Sequence, residues 1–303
     1  MIQFPEINSK IQFLKKEKEV ELHLLREDLI HPTISGNKFR KLKYNLIEFT
    51  KGNYSALLTF GGAYSNHISA TAAAGKEFKI PTIGIIRGEE FELKFPENPT
   101  LKFAKNCGMK LKFISREQYK NKTNPDFLDQ LKSEFGEIYI LPEGGTNHLA
   151  VEGCEEILNQ QTKEFDYICC AVGTGGTISG IINSAKKHQK IIGFPALKDS
   201  DFLNDEIKNW TGRSNFMLVS DYHFGGYAKV NPELIDFINE FKDQFDVTLD
   251  AVYTGKMMFG LDQLIKNGFF SSNTKVLAVH TGGIQGNEGM NQKLNKRNKT
   301  LIL

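Results

Sequence analysis

The stretch Ser35-Gly36-Asn37-Lys38-Phe39-Arg40-Lys41-Leu42 puts a lysine directly behind a turn-forming Gly-Asn pair and at the mouth of a helical pattern. Leu42, Leu46 and Phe49, joined by Tyr44 and Ile47, recur at helical spacing until Gly52, so Lys38 falls in the first turn. An amine held there away from bulk water has a lowered pKa and can serve as a nucleophile or Schiff-base former. By itself the segment reads more simply as a solvated basic helix: Arg40, Lys41 and Lys43 follow at once, and surface lysines far outnumber reactive ones. The rest of the chain has to decide.

Working outward, residues 20–28 alternate apolar and polar side chains and predict a short strand. Residues 54–60 form an apolar strand that runs into Gly61-Gly62-Ala63-Tyr64-Ser65-Asn66-His67 and an Ala-rich helix over 68–75, the opening of a βαβ unit. Strands over 82–87, 110–114 and 138–141 alternate with helices over 100–106 and 125–134. Pro142-Glu143-Gly144-Gly145-Thr146-Asn147 then breaks the composition. Beyond it, the apolar strand 167–172 meets Gly173-Thr174-Gly175-Gly176-Thr177 at the head of a helix over 178–186. Strands over 191–195, 217–220 and 275–280, with helices over 202–210, 232–241 and 257–267, complete the rhythm, and Ala251-Val252 reads as strand-like. Such alternation predicts an α/β protein with parallel sheets, helices on both faces and sites at the carboxyl ends of strands. At 303 residues, two domains sharing a cleft are expected.

The formal net charge of +2 arises from nearly equal basic and acidic counts spread along the chain, which calls for no nucleic acid partner. The basic run from Lys293 to Lys299 is accounted for by a solvated helix end. No apolar run framed as a secretion signal occurs in residues 1–18, and no stretch approaches membrane-spanning length, so a cytoplasmic protein without membrane contact is expected. Cys107, Cys154, Cys169 and Cys170 lack metal-binding spacing, so they read as reduced thiols and no metal is expected.

The loop Gly173-Thr174-Gly175-Gly176-Thr177 has the context of a phosphate cup, glycines folding N–H groups inward at a helix N-terminus. A Walker A loop would need Lys and Ser/Thr after Gly180, where Ile181 and Ile182 stand, and a dinucleotide fingerprint would need Gly where Ile178 stands. A non-nucleotide phosphate, or a plain tight turn, remains. Ser65 and Asn66 have the placement of helix caps, with a functional version that turns them toward a cleft; His67 reads first as a locally bonded side chain. Tyr253 and Thr254, Thr281-Gly282-Gly283, and Gly225-Gly226-Tyr227 occupy similar strand-end positions. Five Gly-marked loops at strand ends favour a ligand site.

These motifs match a known family. Residues 35–42 resemble the GGNKTRKL segment of the pyridoxal-phosphate enzymes grouped as 1-aminocyclopropane-1-carboxylate (ACC) deaminase and D-cysteine desulfhydrase. Residues 61–67 resemble their GGIQSN(Q/H) segment, residues 173–177 their phosphate loop, and Val252-Tyr253-Thr254-Gly255-Lys256 their VY(E/T)GK segment, in the same order. The resemblance, which spans roughly Arg26 to Gly283, implies a tryptophan-synthase-β-like fold of two three-layer α/β/α domains with mainly parallel sheets and the pyridoxal 5'-phosphate cleft between them. The larger domain would take residues 1–51 plus 146–303, the smaller 52–145. Carried over by position, Lys38 forms the Schiff base with the cofactor, Asn66 bonds its ring oxygen, and Gly173, Thr174, Gly175, Gly176 and Thr177 hold its phosphate. Lys38, Ser65 and Tyr253 are then the catalytic candidates, and Ser65, Asn66, His67, Tyr227 and Tyr253 the substrate-side candidates.

Position 254 separates the two activities within this resemblance. The ACC deaminases carry Glu there, beside the pyridine nitrogen; this chain has Thr254, as does the desulfhydrase branch. A hydroxyl stabilises carbanion character less than a carboxylate that keeps the ring protonated. The resemblance therefore implies β-elimination from a small D-amino acid such as D-cysteine, with ACC deamination as the rival and a non-catalytic PLP-binding protein as the other class. Phe39 replaces the family's Thr, and Tyr222-His223-Phe224 is unusually aromatic, which bears on the substrate. A homodimer is implied.

Overall fold

The structure, a computed structural model, describes residues 2, 4, 7, 9–34 and 36–303. Ser35, the first residue of the opening motif, lies outside them. In chain order the strands are β1 (Ile11–Glu17), β2 (Val20–Leu25), β3 (Ala56–Gly62), β4 (Thr82–Arg87), β5 (Lys110–Ile114), β6 (Ile138–Leu141), β7 (Tyr167–Val172), β8 (Lys190–Pro195), β9 (Phe216–Leu218) and β10 (Lys275–Val279). The helices are α1 (Asn37–Lys51), α2 (Asn66–Phe78), α3 (Pro99–Asn106), α4 (Pro125–Phe135), α5 (His148–Glu155), α6 (Gly176–Ser184), α7 (Phe202–Trp210), α8 (Pro232–Phe245), α9 (Thr254–Lys266) and α10 (Gly286–Asn295).

The chain forms two units. The smaller contains Pro32–Ile34 and Lys38–Ala150 and is built on a sheet of order β5-β4-β3-β6, parallel throughout. The inner strands β3 and β4 are buried on both sides, as parallel strands covered by helices must be, whereas the edge strand β5 turns Lys110 and Lys112 outward. Leu58, Phe60, Ile83 and Ile85 meet Leu131 of α4 on one face, while Ile86 meets Ile68, Ala72 and Leu101 of α2 and α3 on the other.

The larger unit takes most of the first 31 residues, Asn37 and Val151–Leu303, around a sheet of order β1-β2-β10-β7-β8-β9. Among the described residues of this sheet only β1 and β2 pair antiparallel; every other ladder is parallel. Side chains alternate between its faces with the two-residue period of a strand. Cys169, Ala171, Ile192, Val276 and Ala278 pack toward α8 and α9, whereas Ile168, Cys170, Ile191, Leu277 and Val279 pack toward α6 and α7. None of the four cysteines, all among the described residues, forms a disulfide. Among the described residues no helix is long and apolar enough to cross a membrane, and no cluster of His, Cys, Asp and Glu could hold a metal.

Four expectations change. The hairpin β1–β2 has no counterpart for β1 in the sequence reading, because it turns on Lys18 and Glu19 with φ of 48° and 60° rather than on the Asn-Gly pair that signals such turns. Residues 251–253 are a turn and not a strand end: the Asp250 carboxylate draws the following N–H groups into a helix start. Pro32–Ile34 and Lys38–Lys51 group with the smaller unit, which the sequence reading confined to residues 52–145. Arg40 and Lys41, far from forming a solvated basic face, are 3% and 2% exposed.

Candidate active site

In the smaller unit, Lys38 occupies the first turn of α1, on the face that also carries Lys41 and Asn45 at helical spacings of three and four. That face is bonded, not solvated. Lys41 Nζ donates to the Gly144 carbonyl at 3.0 Å and the Thr146 hydroxyl at 2.8 Å. Asn45 exchanges amide hydrogen bonds with Asn147 at 2.7 and 3.2 Å and accepts from the Tyr139 hydroxyl at 2.9 Å. These buried polar ties bind α1 to the turn after β6, and they explain why α1 groups with this unit. Neither Lys41 nor Asn45 stood out as a site residue in the sequence; the signal was a polar stripe continuing from Lys38 along an otherwise amphipathic helix.

Ser65 and Asn66 stand at the start of α2. Ser65 is its N-cap, Oγ accepting from the Ile68 N–H at 3.3 Å, which leaves the serine's own O–H to donate elsewhere. His67 is buried and bonded through Nε2 to the Thr59 hydroxyl at 2.8 Å. Thr59 spends its single proton on the Leu141 carbonyl at 3.1 Å, so His67 must donate, and Nδ1 is the bare nitrogen. Among the described residues Nδ1 has no hydrogen-bond partner. Burial first, then the charges of Lys38 and Lys41, hold the imidazole well below its ordinary pKa. A neutral His67 cannot be a proton donor from a charged state near neutral pH; it is a rigid neighbour of Lys38.

The larger unit carries the glycine loop between β7 and α6. Gly175 is the N-cap of α6 at φ 81°, a conformation that L side chains resist, and among the described residues no side chain caps this helix end. The first turn therefore presents backbone N–H groups and the positive end of the helix dipole without a competing carboxylate or hydroxyl cap. Thr177 Oγ1 accepts from Asn37 Nδ2 at 2.8 Å, and the Asn37 N–H donates to the Thr281 carbonyl at 3.2 Å. The residue covalently preceding Lys38 is thus tied to the glycine loop and to the turn after β10. Gly36, at φ 58°, passes so close to that turn that a Cβ would lie 2.0 Å from the Thr281 oxygen.

Tyr253 lies beside the same loop: a Cβ on Gly173 would come within 3.3 Å of its hydroxyl. Tyr227, 46% exposed, meets the Tyr253 ring edge-on with centroids 6.2 Å apart. Thr254 is fully buried. Its hydroxyl donates to Asp250 Oδ1 at 2.8 Å and accepts from the Asp250 N–H at 2.9 Å, while Asp250 also accepts from the N–H groups of 252, 253 and 254. The Thr254 proton is committed to a carboxylate, so toward any further partner this oxygen can only accept.

The structure groups Lys38 with Ser65, Asn66 and His67 in one unit, and residues 173–177 with Tyr227, Tyr253 and Thr254 in the other. The bare helix end at the larger unit's glycine loop fits the phosphate of an aldehyde cofactor, and the amine of Lys38 in the smaller unit is the group type that its aldehyde takes. The mainly parallel α/β architecture is that of fold type II pyridoxal-phosphate enzymes: the crystal structure of an ACC deaminase homologue superposes with a TM-score of 0.82 at 26% identity, over 96% of this chain and 94% of the other. Residues 8–282 match the family model described as "Pyridoxal-phosphate dependent enzyme", and the chain belongs to that family, whose cofactor is pyridoxal phosphate. It is 32% identical to a putative 1-aminocyclopropane-1-carboxylate deaminase of Thermotoga maritima, over 91% of this chain and 94% of that one. It is 29% identical to the bifunctional, mitochondrial D-cysteine desulfhydrase/1-aminocyclopropane-1-carboxylate deaminase of Arabidopsis thaliana, over 88% of this chain and 73% of that one.

Proposed function

We propose that this enzyme catalyses β-elimination from a small D-amino acid, with D-cysteine the type substrate. The Cα–H and Cβ–S bonds break, sulfide leaves, and water addition to the eneamine product releases pyruvate and ammonia. Pyridoxal phosphate, when bound, supplies the electron sink that makes the Cα proton labile. Lys38 would hold the cofactor covalently and, once displaced by substrate, carry the proton from Cα. Residues 173–177 would hold its phosphate and Asn66 its ring oxygen. Ser65, with its O–H free of the capping role, would bind the substrate carboxylate, and Tyr227 and Tyr253 would orient the leaving group.

The observation that carries the choice of substrate is the Asp250–Thr254 pair. No carboxylate stands at position 254, and the carboxylate four residues earlier is saturated by three N–H groups and the Thr254 hydroxyl. Elimination of a good leaving group makes the smallest demand on the ring's electron sink, and ring opening of a cyclopropane a larger one. ACC deamination to 2-oxobutanoate and ammonia is the second reading, supported by the names of both relatives. The protein would work in the cytoplasm as a homodimer.

Absorbance of the purified protein before and after borohydride, followed by keto-acid release from D-cysteine, L-cysteine, D-serine and ACC, tests this. The expected result is a visible band that borohydride bleaches, is missing from Lys38→Ala, and accompanies turnover of D-cysteine ahead of ACC. Faster turnover of ACC would sink the substrate argument; a band that survives Lys38→Ala would move the covalent link to another lysine.

A further inference from the structure

Residues 221–228 combine backbone conformations that do not hold themselves. Phe224, Gly225, Gly226 and Ala228 all have positive φ, at 52°, 88°, 109° and 53°, and for Phe224 and Ala228 the Cβ opposes it. Helix α9 supplies the restraint. Its residues 256, 259 and 260 share one face. Phe259 packs edge-on against Phe224 with centroids 5.0 Å apart. Tyr222 lies over Gly260, where a Cβ would come within 2.6 Å of the ring. At the N-terminal end of that face, Lys256 Nζ donates to the His223 carbonyl at 2.8 Å and the Gly226 carbonyl at 2.7 Å, the two oxygens that bracket the left-handed stretch.

Lys256 is 2% exposed, and burial lowers its pKa to about 8 against the opposing pull of Asp250. Burying an ammonium is costly unless its hydrogen bonds are supplied. A site that needed only to be filled would be served by methionine; this one places a charged donor on two loop carbonyls. The next residue along the loop is Tyr227, whose ring meets Tyr253.

We propose that Lys256 is a positioning residue: it clamps the turn of residues 223–226 and thereby fixes Tyr227 against Tyr253, setting the affinity for substrate rather than the rate of bond breaking. This rests on the reading of Tyr227 and Tyr253 as substrate-facing residues. The clamp belongs to the larger unit alone, every contact in it coming from residues 221–260.

Lys256→Met keeps the length of the side chain and removes both donors. In the holoenzyme, amide hydrogen exchange across residues 222–228 is expected to accelerate by roughly 10- to 100-fold, the scale of lost charge-assisted hydrogen bonds, with α9 still protected. KM for the amino acid that the unaltered enzyme turns over is expected to rise about tenfold with kcat within about threefold, since uniform binding is what is lost. A loop that stays protected, a loop that loosens without a change in KM, or a fall in kcat at constant KM overturns the proposal. If Lys256→Met does not fold, Gly226→Ala disturbs the clamp from its other end, because a Cβ there is strained at φ 109° and meets the Lys198 side chain at 3.3 Å. The same selective rise in KM is expected, and an unchanged KM overturns the idea. An unaltered protein that turns over no small amino acid sinks the functional reading and this proposal together, whereas an active enzyme whose Lys256→Met loop stays protected sinks this proposal alone.

Discussion

Two helix starts in the larger unit, those of α6 and α9, answer the same physical problem in opposite ways. Each helix leaves backbone N–H groups without intrahelical partners at its first turn. At α9 the N–H of its first residue, Thr254, and those of 252 and 253 just ahead of it go to one Asp250 carboxylate, which also accepts from the Thr254 hydroxyl, while the Gly255 N–H goes to the Asp250 carbonyl. At α6 the protein puts Gly175 in the cap position and, among the described residues, supplies no side chain. A sealed end stabilises the fold and is closed to anions; a bare end forgoes that stabilisation and can receive one. The difference teaches that a glycine-marked turn is a binding element only where nothing of the protein's own has taken its donors.

The sharpest way to break this contrast is to seal α6. Gly175→Asp brings a carboxylate to the bare N-terminus and forces a side chain into φ 81°. Pyridoxal phosphate affinity, measured by titrating the apoenzyme, should fall by roughly 100-fold or more, the loss of one or two charge-assisted hydrogen bonds of about 1.5–3 kcal/mol each. An unchanged affinity would show that the phosphate binds elsewhere. The reverse change unseals α9: Asp250→Ala strands buried N–H groups and the Thr254 hydroxyl, and should lower unfolding stability by about 2–4 kcal/mol, read by chemical denaturation. Its effect on cofactor affinity should be the smaller of the two, and a loss of affinity without a loss of stability would make Asp250 a ligand rather than a cap.

A smaller effect sharpens the same comparison in the other unit, where the bare acceptor is His67 Nδ1. Its folded pKa is held well below the ordinary value of 6.5 by burial and by Lys38 and Lys41. The unfolded chain therefore binds a proton below pH 6.5 that the folded one refuses, so this contribution is intact above pH 6.5 and is lost as pH falls toward the folded pKa. Its slope is at most about 1.4 kcal/mol per pH unit. The difference in stability between the unaltered protein and His67→Gln, followed from pH 7.5 to 5, should narrow or reverse with falling pH; a constant difference would mean that His67 is protonated in the fold.

Much of the architecture was legible because it is local. The apolar runs that became β3, β4 and β7 read directly as buried parallel strands, and the glycine loop before α6 was visible from its context. What stayed hidden is written in distant partners. Lys41 and Asn45 look like helix-surface residues until Gly144, Thr146 and Asn147, about a hundred positions away, take up their polar atoms. Ala251-Val252 looks like a strand until Asp250 bends the backbone into α9. Thr254 was singled out as the residue that discriminates between substrates, and its sequence position carried no hint that its proton belongs to Asp250.

The position of β10 has a consequence for how the chain is made. It is the second-to-last regular element, yet it lies between β2 and β7 in the middle of the larger sheet, and the turn that follows it receives Gly36 and Asn37. During synthesis the smaller unit is complete in sequence once Ala150 has emerged and can begin folding as a unit. The larger sheet must wait: β2, translated near the start, has its parallel neighbour only after residue 279, so its edge stays open for some 250 residues of elongation. The nascent chain thus carries an unpaired strand edge throughout that interval, and the polar side chains of β2, Glu21 and His23, interrupt what would otherwise be an adhesive apolar segment.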